Sequence, residues 1–492
     1  MHAVLLLALF GIGPALAADA AAAFRHANAL EAAGEKDAAY AEFTQLVKSA
    51  PEDPYLAEAW LHIGEYWFDR DDFAKAHAAY KHALERPNGD REGFASYKLA
   101  WCEYNLGDYP LAIATMVAVV DSTKTAPQIR EEALKDLVRF YSDGGEGDAA
   151  TEFFAAHGRP DLTRDTAVRS AAWTMETGVY DWAIRDYRAA IALDLNHPRN
   201  PELQAAIVDC FRKLGKVEET WAALEVLLAS YSPASDWARA NAADPKVMTA
   251  ALEEQERALR TFAVNVHTEA KKLRKGEDAQ RRYAYAEQGY ARYIVLFSAS
   301  SNIGEMRYAY AELLYARKKF AAAYEQYMAV VALDPKGTHA KFCAESAIFA
   351  ADELLDGEMH RNGGAYTSLP KNAPIPLEEW AEKSILALDQ FARLYPDDPK
   401  ASKVIYKSAY LLYNHNHFTE SAVRFRQVIA MSGWTKESEQ AANLTLDGLL
   451  LVEDWAALRD TAGAFYDQPG FGTPAFKAEM LEIVERAGEK VR

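Results

Sequence analysis

Between residues 60 and 87 the chain reads WLHIGEYWFDRDDFAKAHAAYKHALERP, and its apolar positions fall into two helical series separated by one polar break. Trp60, Ile63, Gly64 and Trp67 stand at i, i+3, i+4 and i+7, which is one face of a helix. The run Asp69-Arg70-Asp71-Asp72 ends that helix, and Phe73, Ala76, Tyr80 and Ala83 open a second at helical spacing. Two antiparallel helices sharing one seam satisfy the pattern. Gly64 and Ala76 have almost no side chain and let the helix axes approach, while Phe73 and Tyr80 fill the wider space beside them. A hairpin of this kind cannot bury its own apolar face, so it must stack on copies of itself.

The copies are present. Tyr109, Ala112, Met116 and Val119 repeat the second-helix series 36 residues after Phe73, and Tyr180, Ala183, Tyr187 and Ala190 are followed after 37 residues by Val217, Thr220, Leu224 and Leu227. The 71 residues between Tyr109 and Tyr180 leave room for one degenerate copy, to which Ala150 and Phe154 supply the small and the large residue. Further series begin at Tyr283 (Ala286, Tyr290, Tyr293), Phe320 (Ala323, Tyr327, Val330) and Phe418 (Ser421, Phe425, Val428). Lys36, Ala39, Phe43 and Leu46 make a first copy, and Trp455, Leu458, Ala462 and Phe465 a last one. A period near 34 residues with this order of large and small positions is that of the tetratricopeptide repeat, which the segment at 60–87 resembles. The expected fold class is all-α, a tetratricopeptide-repeat (TPR) α-solenoid, or superhelix of antiparallel helical hairpins.

A length of 492 residues would suggest about three globular domains, but a solenoid grows by stacking and escapes that limit. Regular hairpins are expected over 18–231. The stretch at 232–245, SPASDWARANAADP, reads as a loop, and an uninterrupted helix over 246–275 is expected to pair with a helix over 278–297, making 232–297 an irregular long-helix repeat. A second array follows over 298–472, interrupted at 356–376 by DGEMHRNGGAYTSLPKNAPIP, a long Gly- and Pro-containing insertion between a first helix ending near Leu355 and a second starting at Leu377. Residues 473–492 read as an amphipathic capping helix.

Residues 1–17 carry a short apolar run from Val4 to Phe10, a Gly-Pro break and Ala15-Leu16-Ala17, a small-x-small cleavage pattern. The chain is therefore expected to be exported to the periplasm with cleavage after Ala17. The run is too short for the roughly 20 residues that span a bilayer, and a lipid anchor would need a cysteine at the cleavage point, where the first cysteine is Cys102. The other cysteines, Cys210 and Cys343, fall like Cys102 on first helices of different repeats, so all three are expected to be buried, unpaired thiols.

The net charge of −18 disfavours nucleic acid and anionic membrane surfaces, which demand a basic face. A cationic or mixed protein partner fits better. No phosphate loop, His-Glu-x-x-His or Cys-x-x-Cys is present, so neither a catalytic set nor a cofactor site is expected. Asn414-His415-Asn416-His417 offers two imidazoles, but it stands where other repeats have an interhelix turn, and no metal site is assigned there. The residues left over once seam positions are removed are Tyr285 and Tyr310 among Arg281, Arg282, Arg292 and Arg307, and these form the candidate partner-binding patch. The same patch is the sole support for an alternative reading, a glycan- or peptidoglycan-binding module.

Two motifs, IGEYWFDRDDFAKAHAAYKHAL at 63–84 and YKLAWCEYNLGDYPLAI at 97–113, resemble periplasmic tetratricopeptide proteins of myxobacteria and their predatory relatives, some of them in gliding-motility complexes. This resemblance implies a scaffold without catalysis that presents a groove to envelope proteins, in motility, secretion or outer-membrane assembly. It covers about the first quarter of the chain, whereas the general repeat covers nearly all of it.

Overall fold

The computed structural model describes residues 13–49, 54–86, 91–362 and 372–491, and among them it contains 24 helices and no strand. The helices pair into hairpins. The first six are α1 (Gly13–Ala32) with α2 (Lys36–Ser49), α3 (Leu56–Phe68) with α4 (Phe73–Leu84), α5 (Glu92–Asn105) with α6 (Tyr109–Asp121), α7 (Pro127–Gly144) with α8 (Gly147–Ala156), α9 (Pro160–Glu176) with α10 (Tyr180–Leu193), and α11 (Asn200–Lys213) with α12 (Val217–Ser230). After the short α13 (Asp236–Asn241) come α14 (Pro245–Leu273) with α15 (Glu277–Leu296), α16 (Ile303–Ala316) with α17 (Phe320–Leu333), α18 (Ala340–Asn362) with α19 (Glu379–Leu394), α20 (Ala401–Asn414) with α21 (Phe418–Ser432), and α22 (Lys436–Leu451) with α23 (Trp455–Asp467). α24 (Pro474–Val491) follows the last hairpin. The chain divides into two compact units, residues 1–255 and 256–492, with the division inside α14.

One turn recurs in nine of the eleven hairpins. The residue two places before the second helix has a left-handed backbone: Gly34, Asp71, Gly107, Gly145, Gly178, Gly215, Lys318, Asn416 and Glu453. The next N–H then bonds back across the turn to the first helix, as Asp72 does to the Trp67 carbonyl (3.0 Å) and Lys216 to that of Phe211 (3.1 Å), a closure that satisfies an orphan carbonyl. Asp72, Asp108 and Asp454 go further and cap the second helix, accepting from the N–H groups of Lys75, Leu111 and Ala457. The turn therefore fixes where each second helix begins, and Lys36, Phe73, Tyr109, Tyr180, Val217, Phe320, Phe418 and Trp455 are all first residues of one.

Seam positions in residues 1–255 are buried as the pattern requires, including Phe43, Ala76, Tyr80, Ala112, Met116, Ala150, Phe154 and Leu224. Gly64 meets the Tyr80 ring so closely that a Cβ there would stand 2.5 Å from it, which explains why this crossing takes glycine. The stretch at 232–245, expected as a loop, contains α13. Ser235 caps it by accepting from Ala238 N–H (3.1 Å), and Trp237 is buried with its indole N–H on the His197 carbonyl (2.9 Å), so tertiary burial organises a segment whose composition reads as irregular.

Within residues 256–492, Ala286, Tyr290, Tyr293, Ala323, Tyr327, Ser421, Phe425, Val428 and Ala462 are likewise buried. Glu256 accepts from Tyr293 hydroxyl and from Asn302 (3.0 Å) and pairs with Arg260 (3.1 Å). Burial pushes its carboxyl up, but these bonds outweigh it and hold it below the usual carboxylate range. The insertion begins later than expected. α18 continues to Asn362 instead of stopping near Leu355, and α19 starts at Glu379 instead of Leu377; residues 363–371 of the insertion lie outside the described residues. Residues 372–378 return without helix, held by the next turns: Asn416 donates to Ala373 carbonyl (2.9 Å), Ile375 N–H to His415 carbonyl (2.8 Å), and His417 Nε2 to Ile375 carbonyl (2.9 Å).

Cys102, Cys210 and Cys343 are free and buried, and burial pushes their thiols up to about 12, 11 and 12. Residues 1–12, the greater part of the expected export signal, lie outside the described residues. No helix among the described residues is long and apolar enough to cross a membrane.

Candidate protein-docking faces

Both helices of a hairpin bury residues in the seams, Leu137 and Phe140 of α7 and Leu313 and Leu314 of α16 among them, and the first helices also carry the charged contacts between neighbouring hairpins. In residues 1–255 these helices are cross-linked to one another. Arg91, just before α5, reaches Glu58 of α3 (3.1 Å), and Lys98 reaches Glu65 (3.2 Å), whose carboxylate also accepts the Tyr80 hydroxyl. From α5, Tyr97 hydroxyl (2.6 Å) and Trp101 indole N–H (3.1 Å) both donate to Asp136 of α7, and Tyr104 hydroxyl donates to Asp143. Burial first, and the bond to Asp136 second, pushes the Tyr97 phenol up to about 12, so it stays a donor. Phe140 lies among these rings, stacked on Tyr104 at 4.7 Å and edge-on to Trp101 at 5.0 Å. Arg169 of α9 reaches Asp143 in turn (3.5 Å). Polar tips and aromatic bodies here are spent on neighbouring hairpins.

In residues 256–492 the same kind of ladder leaves rings uncovered. His339 stacks on Tyr308 of α16 (3.9 Å) with Nε2 3.0 Å from Glu305, and Phe342 meets Tyr308 edge-on (5.9 Å). On α18, Glu345 and Asp352 hold Lys400 (2.6 Å) and Lys407 at α20. Phe342 and Phe349 alternate with these acids on one helix face, yet remain 49 % and 57 % exposed. Tyr410 of α20, stacked on Tyr406 at 6.3 Å, is 44 % exposed. Exposed aromatic rings margined by charges already paired can desolvate against an apolar partner side chain without stripping an unpaired charge of water.

The candidate residues read from the sequence do not assemble into that face. Tyr310 is buried, stacked on Tyr290 at 5.7 Å, because it occupies the core side of α16 and not the solvent side. Arg282 is largely buried and engaged by Glu269 (2.6 Å) and Asp278 (3.2 Å), Arg281 pairs with the same Asp278 (2.8 Å), and Arg307 donates to Gln326 (2.6 Å). Tyr285 is half-buried, and Arg281 and Arg292 stand exposed on α15. His415 is buried with Nδ1–H on the Leu411 carbonyl (2.7 Å), and His417 serves the Ile375 carbonyl, so the two imidazoles hold backbone. Among the described residues no three His, Cys, Asp or Glu side chains gather as metal ligands would. Phe342 and Phe349 escaped sequence reasoning although their seven-residue spacing was readable. Periodicity marks a face without saying whether a neighbour covers it.

The tetratricopeptide-repeat family model matches residues 21–53 and 94–122, the segments of the first and third hairpins. The chain carries tetratricopeptide repeats in an all-α hairpin array, and such repeats generally mediate protein–protein interaction. Among solved structures, the chain is similar to Cut9–Hcn1 of the APC/C hetero-tetramer, at 10 % identity over 86 % of this chain and 95 % of that one, with a TM-score of 0.33. It is also similar to Naa15/Naa10 bound to HypK-THB, at 14 % identity over 96 % of this chain and 73 % of that one (TM-score 0.28), and to yeast Tom70, at 14 % identity over 96 % of each chain (TM-score 0.22). With every TM-score this low, the functional reading rests on the repeats and not on these likenesses. No curated protein matches the chain.

Proposed function

We propose that this chain is a non-catalytic scaffold of the bacterial periplasm that binds envelope proteins on the first-helix face of residues 256–492. The observation that carries the reading is the exposure of Phe342, Phe349 and Tyr410 on helices where Glu345 and Asp352 are already paired with Lys400 and Lys407. A partner placing apolar side chains there gains the burial of three rings, at about 25 cal/mol for each Å² of apolar surface removed from water. The export pattern at residues 1–17 supports periplasmic placement, and the two motifs at 63–84 and 97–113 support membership in an envelope machine of the motility, secretion or outer-membrane assembly kind.

The test has two arms in the living source cell. Intact mass of the purified native protein is expected to lack residues 1–17 and to begin at Ala18; a full-length cytoplasmic chain removes the periplasmic reading. A photo-crosslinking amino acid at Phe349 is expected to capture an envelope protein, and the same probe at the exposed Glu152 of α8 to capture little. Equal capture at both positions removes the docking face.

A further inference from the structure

At the end of the second unit the ladder between first helices stops, although a surface for it remains. α24 packs along α23: Lys477 donates to the carbonyls of Phe465 (3.0 Å) and Gln468 (2.8 Å), and Phe476, Met480 and Ala487 are buried in a core with Ala462, Phe465 and Phe471. Against α22, however, it leaves a cleft of about 620 Å³, within the range of a binding pocket. Leu444, Leu450, Trp455 and Ile483 give it an apolar lining, with Asp447 and Glu479 beside them. Among the described residues no hydrogen bond or ion pair joins α22 to α24.

The charges in this cleft differ from those of the steps before it. In two earlier steps of this unit, from α16 to α18 and from α18 to α20, acids on the earlier helix meet bases at the later one, Glu305 with His339, Glu345 with Lys400 and Asp352 with Lys407, although Lys341 with Asp398 runs the other way. Here both walls are acidic. Asp447 accepts only the Tyr413 hydroxyl, Glu479 has no partner among the described residues, and the one base of the lining, Arg486, is taken by Glu482 of its own helix (2.6 Å). Lys490 stands over the Trp455 ring at 5.8 Å and, among the described residues, pairs with neither acid. An apolar floor flanked by two carboxylates that no base pairs is complementary to an apolar side chain carried next to a cation.

We infer that the cleft between α22 and α24 docks a cationic amphipathic segment of a protein partner, with a Leu- or aromatic-type anchor against Leu444, Trp455 and Ile483 and a Lys or Arg between Asp447 and Glu479. The inference rests on the docking function proposed above but names a separate site. The occupant supplies the base that Asp447 and Glu479 lack.

The test titrates the full chain with a labelled Leu/Lys amphipathic peptide of about five helical turns, read by fluorescence anisotropy. A Leu/Glu peptide of the same pattern is the counter-probe. Glu479→Lys is expected to weaken the Leu/Lys peptide about tenfold or more, and Ile483→Ala to weaken it similarly, while Glu152→Lys on unit one, with the same charge change, leaves it within about twofold. Circular dichroism checks the fold of Ile483→Ala, and the solvent-exposed Glu479→Lys keeps the test valid should that variant unfold. Equal binding of both peptides, or equal weakening by Glu479→Lys and Glu152→Lys, overturns the cleft as a site. Capture at Phe349 with no peptide effect at Glu479 would leave the docking face standing and remove only this inference.

Discussion

Two phenylalanines on first helices, Phe140 of α7 and Phe349 of α18, show what the two units do differently with one kind of hairpin. Phe140 is completely enclosed by Trp101 and Tyr104, whose N–H and O–H groups are fastened to Asp136 and Asp143. Phe349 stands between two acids that are each tied to a lysine and has more than half its surface in water. One ring completes the packing of its unit and the other is left for something outside the chain; exposed rings are not confined to the second unit, since Trp173 of α9 and Trp182 of α10 are 49 % and 57 % exposed. A repeat fold allows this division because both helices of a hairpin bury one face in the seam and still leave the rest of the first helix free to serve either purpose.

The sharpest way to break this contrast is to truncate both rings. Phe140→Ala should cost about 3–5 kcal/mol in urea unfolding, and Phe349→Ala less than about 0.5 kcal/mol, since only the first opens a cavity. Similar costs at both positions would abolish the distinction between the faces. Acidification separates the units next. His267 of α14 is buried, with Nδ1 3.2 Å from Tyr290 hydroxyl and no partner on Nε2, and burial, aided by Lys271, pushes it down to about 4. Because the folded value lies below the unfolded one, its stabilisation is whole above pH 6.5 and falls by about 1.4 kcal/mol per unit as pH drops toward 4. In unit one, burial also lowers His62, but Glu31 at 2.8 Å and Glu58 oppose it. His267→Gln should therefore flatten the pH dependence of stability between 6.5 and 4 more than His62→Gln does, and an unchanged slope in His267→Gln would refute the assignment.

A smaller effect probes the ladders. Asp136→Asn removes a charged acceptor shared by two donors and should cost about 1–3 kcal/mol, whereas Asp352→Asn breaks a more exposed pair and should cost under about 1 kcal/mol. The smallest prediction concerns the turn common to both units. Glu453 adopts φ 58° where other hairpins use glycine, so Glu453→Gly should raise stability by about 1 kcal/mol, while Gly107→Ala, at φ 85°, should lower it by a similar amount. Loss of stability in Glu453→Gly would show that its side chain matters more than its backbone.

Much of this arrangement was readable in the residues themselves. The order Phe73, Ala76, Tyr80, Ala83 located eight second helices to the residue, because a tight turn and a small residue at the crossing are local demands, whereas the series read from Tyr283 lies inside α15, which starts at Glu277. What could not be read was which face a neighbour covers. Tyr308 and Tyr310 differ by two positions in one helix, yet the first packs on the next hairpin's His339 and the second enters the core against Tyr290. Trp237 and the added length of α18 were missed for a related reason: long-range burial decides the first, and the Gly content of the insertion masked the second. For the candidate site the arginines were visible, but their acid partners Glu269 and Asp278 were not, since pairing depends on how α14 and α15 meet.

The three thiols fall at even intervals, in the third, sixth and ninth hairpins, on α5, α11 and α18. Each is sealed from reagent and held protonated, so none reacts until its own hairpin breathes. With two replaced by alanine or serine, the survivor becomes a stopwatch for one stretch of the array, and the three labelling rates would rank how soon each stretch comes apart. A binding partner that slows the Cys343 stopwatch and leaves the other two running would thereby disclose where along the chain it sits.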